Sequence, residues 1–555
     1  MTSKKKKDNY LLQGSILAAA GIAVRLIGLV YRIPLNNILG EEGNGYYAAA
    51  FNIYNILLIL SSYGMPIAVS KLLAGLLAKE EYRKSKKLFE TALLFSGSMG
   101  FLFMLIALFG AKFFSVYCLR MEPSYRALIV LAPTVFIVSV MGVIRGFFQG
   151  HGNMIPSAVS QIIEQIVNAA VSIIAAYYLL DFGLSAAKAM ADEKAIRTVG
   201  LSYAAAGSTL GTCLGAFSGL LVLFFFLLRY WKKAFVQKIA QDSSQQEIST
   251  RKMLGLIIAT MVPIIVSQLV YNISDTFDNV IFGNIMRSQG AEQSYYTIQW
   301  GAYSSYFKLL VNIPIAIASS LAASVIPSVT LAYSKKDSGL VRKKIGESIR
   351  FVLLIAMPCS VGLGVLADPI MRLLFHGVSQ LPAKLLSLGC ITVVFYCIST
   401  ITNGVLQGIN HMWKAVTHAV LALFIHLGLV IILLLLHMEI YGIVLGNIAF
   451  SLLMCILNGH SITKLMDYHQ EWKNSIIKPA FSAGVMGIVA FWGYKILYSV
   501  FQSNMIAVIV VIPIAAFMYV VMLGILKTFT EEELSALPKG KMMVILMKKL
   551  HLMQK

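Results

Sequence analysis

Two arginines stand inside the first long apolar stretch of this 555-residue chain. The segment AVRLIGLVYRIPL contains Arg25 and Arg32, and a spacing of seven residues places both on one face of a helix. A charge at the centre of a membrane helix costs about 2.5 to 3.5 kcal/mol, so it usually faces a cavity or a partner. Arg25 is therefore predicted to line a cavity, with an ion pair as the alternative. Arg32, nearer the helix end, either does the same or extends to the interface.

Four further apolar segments carry polar side chains at helical spacing. A polar face inside a membrane is stable only against water or protein, so these faces are predicted to surround a cavity. For single asparagines the preferred interpretation is a hydrogen bond between helices. The four sets are Gln268, Asn272, Asp275, Asp278 and Asn279; Lys308 and Asn312; Asn52 and Asn55; and Gln161, Glu164 and Asn168.

The charges on these faces suggest an anionic ligand. Guanidinium groups match phosphate oxygens in bidentate geometry, so a phosphate or pyrophosphate is expected. The predicted binding residues are Arg25, Arg32, Lys308, Asn52, Asn55 and Asn312, and the predicted cavity or coupling residues are Asp275, Asp278, Gln268, Asn272 and Glu164. The two aspartates either pair with the cations or bind a proton or a sodium ion. The residues alone leave these alternatives, and any metal site, open.

The elements that must position these residues are membrane helices. Hydrophobic residues make up 58% of the chain and charged residues 13%, which is far more apolar than a soluble protein. Windows long enough to cross a bilayer recur along its length. We predict an all-α integral membrane protein with about fourteen spans, near residues 10–33, 45–76, 88–111, 127–148, 157–180, 200–228, 253–286, 301–333, 351–373, 386–407, 415–437, 441–462, 478–498 and 505–526.

The basic residues predict the orientation of these spans. About 32 lysines and arginines fall in segments on the side of the N-terminus and about 10 on the other side, which places both termini in the cytoplasm. The net charge of +21 is explained by these loops and by anionic headgroups, so no nucleic-acid partner is expected. The lysine-rich N-terminus resembles a signal peptide, but its apolar run is better explained as a retained first span. The six cysteines form no CxxC pair and are predicted to be buried thiols.

An internal repeat organises the chain into two halves. RGFFQGHGNMIPSAVSQ from Arg145 and NGVLQGINHMWKAVTHA from Asn403 share xGxxQGxxxM at an offset of about 258 residues. An even number of spans in each copy predicts two parallel six-helix lobes, an arrangement typical of transporters that alternate access. The predicted divisions are an N-terminal lobe (1–228), a cytoplasmic linker (229–252), a C-terminal lobe (253–465), two added helices (466–527) and a tail on the inner membrane surface (528–555).

Three blocks resemble a known family: RLIGLVYRIPL…ILGEEGNGYY, SSYGMPIAVSKLLA and RGFFQGHGNMIPSAVSQIIEQIV. They are similar to the SpoVB/YtgP branch of the polysaccharide exporter and MurJ-like lipid II flippase families, in the MOP superfamily. The resemblance covers essentially the whole chain and implies a MATE-like fold of fourteen helices. It also implies a flippase in the bacterial plasma membrane that carries an undecaprenyl-pyrophosphate-linked saccharide, with lipid II as the leading candidate, to the outer leaflet.

The resemblance also bears on individual residues. Cationic residues on helices 1, 2 and 8 line the cavity of MurJ-like proteins. Arg25 matches the first of these, Arg32 lies one residue beyond the second, and Lys308 lies near the basic residue of helix 8.

At two places the sequence departs from the family pattern, so not every residue role of the family can be assigned to this chain. Asn52 and Asn55 stand where helix 2 of MurJ-like proteins has an arginine, and His418 and His426 stand where helix 11 has the ligands of a sodium site. Sodium coupling is therefore not inferred from the family, although Asp275 keeps sodium binding possible. Whether the protein is coupled to sodium, to protons or to the membrane potential stays open. No cofactor is expected.

The sequence leaves three alternatives to a lipid II flippase. An exporter of another polysaccharide repeat unit, or a multidrug cation antiporter of the MATE type, would share the architecture, but Arg25 disfavours a cationic substrate. A membrane enzyme acting on prenyl-linked sugars would display carboxylates on a large external loop, and the longest candidate loop has only about twenty residues. The expected partners are the lipid-linked saccharide and the bilayer, and the chain is expected to be a monomer.

Overall fold

The computed structural model describes residues 3–190, 192–230 and 248–528. The predicted tail beyond residue 528 and most of the predicted linker lie outside the described residues. Within these ranges the regular elements are helices, and no strand occurs. The α-helices are α1 (Ser3–Ser62), α2 (Met65–Leu77), α3 (Tyr82–Phe113), α4 (Tyr125–Gly150), α5 (Ile155–Ala186), α6 (Glu193–Tyr230), α7 (Thr250–Ser288), α8 (Gln293–Gly301), α9 (Lys308–Ser334), α10 (Ser338–Val365), α11 (Ala367–Leu374), α12 (Leu381–Gly389), α13 (Thr392–Gly408), α14 (Met412–Leu435), α15 (Glu439–Met466), α16 (Lys478–Phe501) and α17 (Asn504–Ile525).

The all-α membrane fold is confirmed, but the count of fourteen spans is not. In the part of the chain that the structure describes, eleven helices are long and apolar enough to cross a membrane, or twelve if α12 and α13, bent by 51°, form one span. Each predicted span nevertheless falls on helical residues. One reason for the lower number is that Ala19–Leu77 forms a single candidate segment of 59 residues. A helix needs only about 20 residues to cross a bilayer, so this segment is long enough for more than one crossing.

A glycine divides α1 into two arms. Gly40 has φ 62° and ψ −173°, a conformation that side chains with a Cβ rarely adopt, so residues 3–39 form a first arm and residues 41–62 a second arm. Such a break leaves backbone carbonyls without helical partners. The Asn44 side chain donates to the carbonyl of Gly40 at 2.7 Å and to that of Asn36 at 3.3 Å. The predicted boundary between the first two spans thus coincides with a built turn.

The chain forms two compact units that meet in sequence between Ser305 and Tyr306. The helices α7 and α8 belong to the first unit, although the repeat places them in the second copy; the predicted lobe boundaries stay a prediction. In the first unit, the N-terminal half of α7 packs on α2, α3 and α4 in one apolar cluster. Its fully buried members include Met65, Leu73, Phe147, Met253 and Ile257.

The glycines of the repeated motif are packing sites in both units. In the first unit, Gly146 and Gly150 of α4 contact α2, and a Cβ on Gly146 would lie 2.8 Å from the carbonyl oxygen of Pro66. In the second unit, Gly404 and Gly408 of α13 contact α9 in the same manner. The motif therefore recurs because two helices must cross closely at each copy.

Candidate functional site

The two arginines of the first arm have different surroundings. Arg25 is exposed, whereas Arg32 is half-buried and its guanidinium interacts with the hydroxyl groups of Tyr31 and Tyr47. The Tyr31 hydroxyl also accepts a hydrogen bond from Asn168 Nδ2 at 3.4 Å. The two tyrosines thus hold the guanidinium group of Arg32 in place.

The face that carries these arginines adjoins an apolar stripe. Ile22, Leu26 and Val30 are each more than half exposed, which is the pattern of a surface in contact with lipid. At about 100° per residue, Arg25 lies about 20° from Arg32 and about 100° from Leu26 around the helix. The cationic face is therefore beside the apolar stripe and not within it.

The second arm and α7 bring together two of the predicted polar faces. Asn52 Nδ2 donates to the carbonyl of Asp275 at 3.5 Å, and Thr276 Oγ1 donates to the carbonyl of Asn52 at 3.4 Å. Asn55, on the same arm, is exposed. Asn52 therefore makes the hydrogen bond between helices that was the preferred interpretation for a single asparagine.

The polar face of α7 changes from exposed to buried along its length. Asn272 is exposed and donates to the carbonyl of Gln268 at 2.8 Å. Asp275 is half-buried, and Asp278 and Asn279 are fully buried. Neither amide atom of Asn279 has a hydrogen-bond partner among the described residues. This end of the face is therefore a polar interior.

Glu164 is held by an ion pair that the sequence analysis did not predict. Arg145 Nη2 lies 2.7 Å from Glu164 Oε2, with the side chains 14% and 28% exposed. The same guanidinium donates through Nε to Ser160 Oγ at 3.2 Å. The signal was available, because Arg145 follows the apolar run VMGVI and opens the repeated motif. Glu164 thus has a structural partner between α4 and α5, and its predicted coupling role stays a prediction.

A second group of contacts that the sequence did not reveal joins α7 and α8 to the connection between α3 and α4. Arg120 Nε donates to Asn284 Oδ1 at 2.9 Å, and Asn284 Nδ2 donates to the carbonyl of Cys118 at 2.9 Å. The Tyr296 hydroxyl donates to the carbonyl of Arg120. These groups lie at the predicted outer end of the first unit, so they connect its helices there.

In the second unit, Lys308 and Asn312 occupy successive turns of α9. Lys308 is half-buried and Asn312 is exposed. A π-helical turn, Ala302–Phe307, directly precedes Lys308, and such turns are frequent at functional sites. Both residues stay predicted binding residues.

The described ranges contain no cluster of three or more histidine, cysteine, aspartate or glutamate side chains that could hold a metal ion. The predicted sites in α1 and α7 are built instead from single charges and amides. The binding and coupling roles of these residues stay predictions.

Two solved structures share this architecture. An inward-facing MATE multidrug transporter of the MOP superfamily has a TM-score of 0.64 at 16% identity, covering 81% of this chain and 98% of that chain. The lipid II flippase MurJ, in an inward closed conformation, also has a TM-score of 0.64, at 14% identity over 91% of this chain and 97% of that chain. The fold is therefore shared with these MATE and MurJ structures, as the resemblance implied.

The family follows from the sequence comparison. The pattern of the family described as "Polysaccharide biosynthesis protein" matches residues 11–332, and the chain belongs to this family. "Stage V sporulation protein B" of Bacillus subtilis (strain 168) is 25% identical over 535 residues, covering 96% of this chain and 98% of the relative. "Lipid II flippase MurJ" of the same organism is 25% identical over 530 residues, covering 92% and 93%. The chain is thus a multi-pass membrane protein of this family.

Proposed function

We propose that this transporter flips a lipid-linked saccharide, specifically an undecaprenyl-pyrophosphate-linked sugar such as lipid II, from the inner to the outer leaflet of the bacterial plasma membrane. The observation that carries the proposal is the cationic face of Arg25 and Arg32 beside an apolar stripe on one helix. The name of the relative that acts on lipid II, and the family of polysaccharide biosynthesis proteins, agree with this substrate class.

The geometry of the first arm suits the two parts of such a substrate. A pyrophosphate group would pair with the arginines, since guanidinium groups donate two parallel hydrogen bonds to phosphate oxygens. A prenyl chain would remain in the lipid along Ile22, Leu26 and Val30. The head group would then cross while the tail stays in the bilayer, so the chain needs only to bind, change conformation and release.

The test is flipping by the purified protein in vesicles that contain fluorescent lipid II. Loss of a charged hydrogen-bonding group costs about 1.5 to 3 kcal/mol, so Arg25→Ala is expected to slow flipping about tenfold or more. Arg25→Lys keeps the charge but not the bidentate geometry and is expected to be intermediate. Arg229→Ala is the matched control, because Arg229 is exposed at the end of α6, and it should flip at the wild-type rate.

Other results would change the assignment. If Arg25→Ala flips lipid II as fast as Arg229→Ala, the arginine face is not the binding site. If the wild-type protein transports a different prenyl-linked saccharide but not lipid II, the substrate is another polysaccharide repeat unit. If it extrudes cationic drugs and neither lipid, the protein is an antiporter and the proposal is wrong.

A further inference from the structure

Three helices of the second unit share a polar cluster around His418. Asn458 of α15 is fully buried and donates through Nδ2 to Asn403 Oδ1 at 2.8 Å and to Thr402 Oγ1 at 3.2 Å, both on α13. His418 of α14 is half-buried. Its Nδ1 lies 2.8 Å from Asn458 Oδ1, and its Nε2 lies 3.2 Å from Ser461 Oγ. Both ring nitrogens are therefore engaged.

These contacts define which nitrogen of His418 carries the proton in the neutral state. Both hydrogens of the Asn458 amide are directed to acceptors on α13, so only its Oδ1 is left for His418. Nδ1 must then donate, and Nε2 of the neutral ring accepts from the Ser461 hydroxyl. A second proton binds the Nε2 lone pair, and Nε2 then donates to Ser461 Oγ. The hydroxyl can turn to a carbonyl one helical turn earlier. Neither state loses a hydrogen bond.

The titratable groups on the three helices supply no carboxylate contact to this ring. Besides His418 itself they are Tyr396 and Cys397 on α13; Lys414 and His426 on α14; and Glu439, Tyr441, Cys455, His460 and Lys464 on α15. His460 and Lys464 are exposed, Cys455 donates to the carbonyl of Phe395, and Glu439 begins α15 more than four turns from Asn458. The contacts of the ring are an amide and a hydroxyl, so a second proton adds a net charge.

The repeat places an ion pair at the corresponding helix junction of the first unit. By the motif alignment, Asn403 corresponds to Arg145 and His418 to Ser160. In the first unit, Arg145 reaches Ser160 and is neutralised by Glu164. In the second unit, amides replace this ion pair and a histidine brings a charge that depends on pH. The same helix junction thus holds a neutralised ion pair in one copy, and amides with a histidine in the other.

We propose that His418 is a proton-binding site, and that its proton must leave before this junction can close away from water. Burial of a charge without a counter-ion is costly, so the charged ring favours a water-exposed junction and the neutral ring permits closure. A histidine changes its charge between about pH 5 and 8. The consequence for transport rests on the proposed flippase function; proton binding itself does not.

The transport test uses reconstituted protein with equal pH on both sides of the vesicle. The wild-type flipping rate is expected to fall about fivefold or more from pH 8.0 to pH 5.5, across the range in which histidine becomes charged. His418→Gln should flip at a rate that does not change with pH. His460→Gln, at an exposed site on the neighbouring helix, should keep the wild-type profile. Asn458→Asp places a carboxylate beside Nδ1 and should move the profile about one pH unit upward.

A second readout separates this proposal from the flippase assignment. In ¹⁵N-histidine NMR of the whole protein, the His418 Nε2 signal should show that Nε2 gains a proton on acidification, while Nδ1 stays protonated. A ring that never gains the second proton overturns the proposal, as does a pH profile that His418→Gln leaves intact. Titration of Nε2 in a protein that flips no lipid-linked saccharide at any pH would overturn the proposed function and leave the proton site standing.

Discussion

Replacement of Gly301 by alanine is expected to force two helices of the first unit apart. Gly301 ends α8 where that helix crosses the second arm of α1. A Cβ there would lie 2.8 Å from the backbone nitrogen of Gly45 and 2.9 Å from the carbonyl carbon of Glu41. Non-bonded carbon atoms prefer about 3.5 to 4.0 Å, and the carbonyl oxygen of Glu41 would lie nearer to this Cβ than either of those atoms, so the helices must separate by more than about 1 Å. The atoms in the way are backbone atoms, which cannot turn aside as a side chain can.

The cost of this separation sets the size of the effect. Overpacking of a tight contact costs about 1 to 3 kcal/mol, which corresponds to a change of about 5- to 150-fold in the population of the packed state. For a unit of about 300 residues the shift is about 1 to 2 °C per kcal/mol, so Gly301→Ala should melt about 1 to 6 °C below the wild type. The measurements are thermal unfolding in detergent and flipping in vesicles.

The matched control for Gly301→Ala is Gly97→Ala. Gly97 lies inside α3, and a Cβ there would meet nothing within 4 Å. Alanine is the better helix former, so this variant should be at least as stable as the wild type. Equal melting temperatures and flipping rates for the two variants would refute the claim that the α1–α8 crossing depends on the absence of a side chain.

Three further substitutions test the contacts of the first unit. Arg145→Ala should lower the unfolding free energy by about 2 kcal/mol, because it leaves the partly buried Glu164 carboxylate without its partner; the double variant Arg145→Met with Glu164→Leu should recover most of this loss in denaturant titrations, and no recovery would argue against the ion pair. Asn279→Leu removes a buried amide that has no hydrogen-bond partner among the described residues, and such a group costs about 1 to 3 kcal/mol, so the melting temperature of the variant should rise; a fall would argue against an unsatisfied amide. Asn284→Ala removes the contacts to Arg120 and to the carbonyl of Cys118 and should speed amide hydrogen exchange in residues 114–125, whereas unchanged exchange would show that these bonds do not hold the connection.

Much of the architecture could be predicted because the bilayer limits the secondary structure that a chain can adopt. A backbone in lipid must satisfy its own hydrogen bonds, so long apolar windows become helices, and each predicted span falls on helical residues. The family resemblance carried by the blocks around Arg25 and Arg145 was confirmed by the matching family pattern and by solved MurJ and MATE structures. The binding and coupling roles assigned to individual residues stay predictions.

The repeated motif shows where such prediction ended. The sequence shows that the motif recurs, and the structure shows that Gly146 and Gly408 permit close helix crossings. The sequence does not show which helix packs against these glycines. Gly408 contacts α9, about 80 residues earlier in the chain, and nothing in the local pattern of the motif specifies that partner.

What the sequence alone determined is therefore the class of fold, the membrane setting and the face of the helix on which Arg25 and Arg32 lie, since composition and helical period are properties of single segments. Only the tertiary structure decided that Glu164 pairs with Arg145 and that His418 shares a polar cluster with Asn458. Partners across helices depend on how each helix is rotated and tilted by the packing of small residues. That rotation is a property of the assembled bundle, and no single helix contains it.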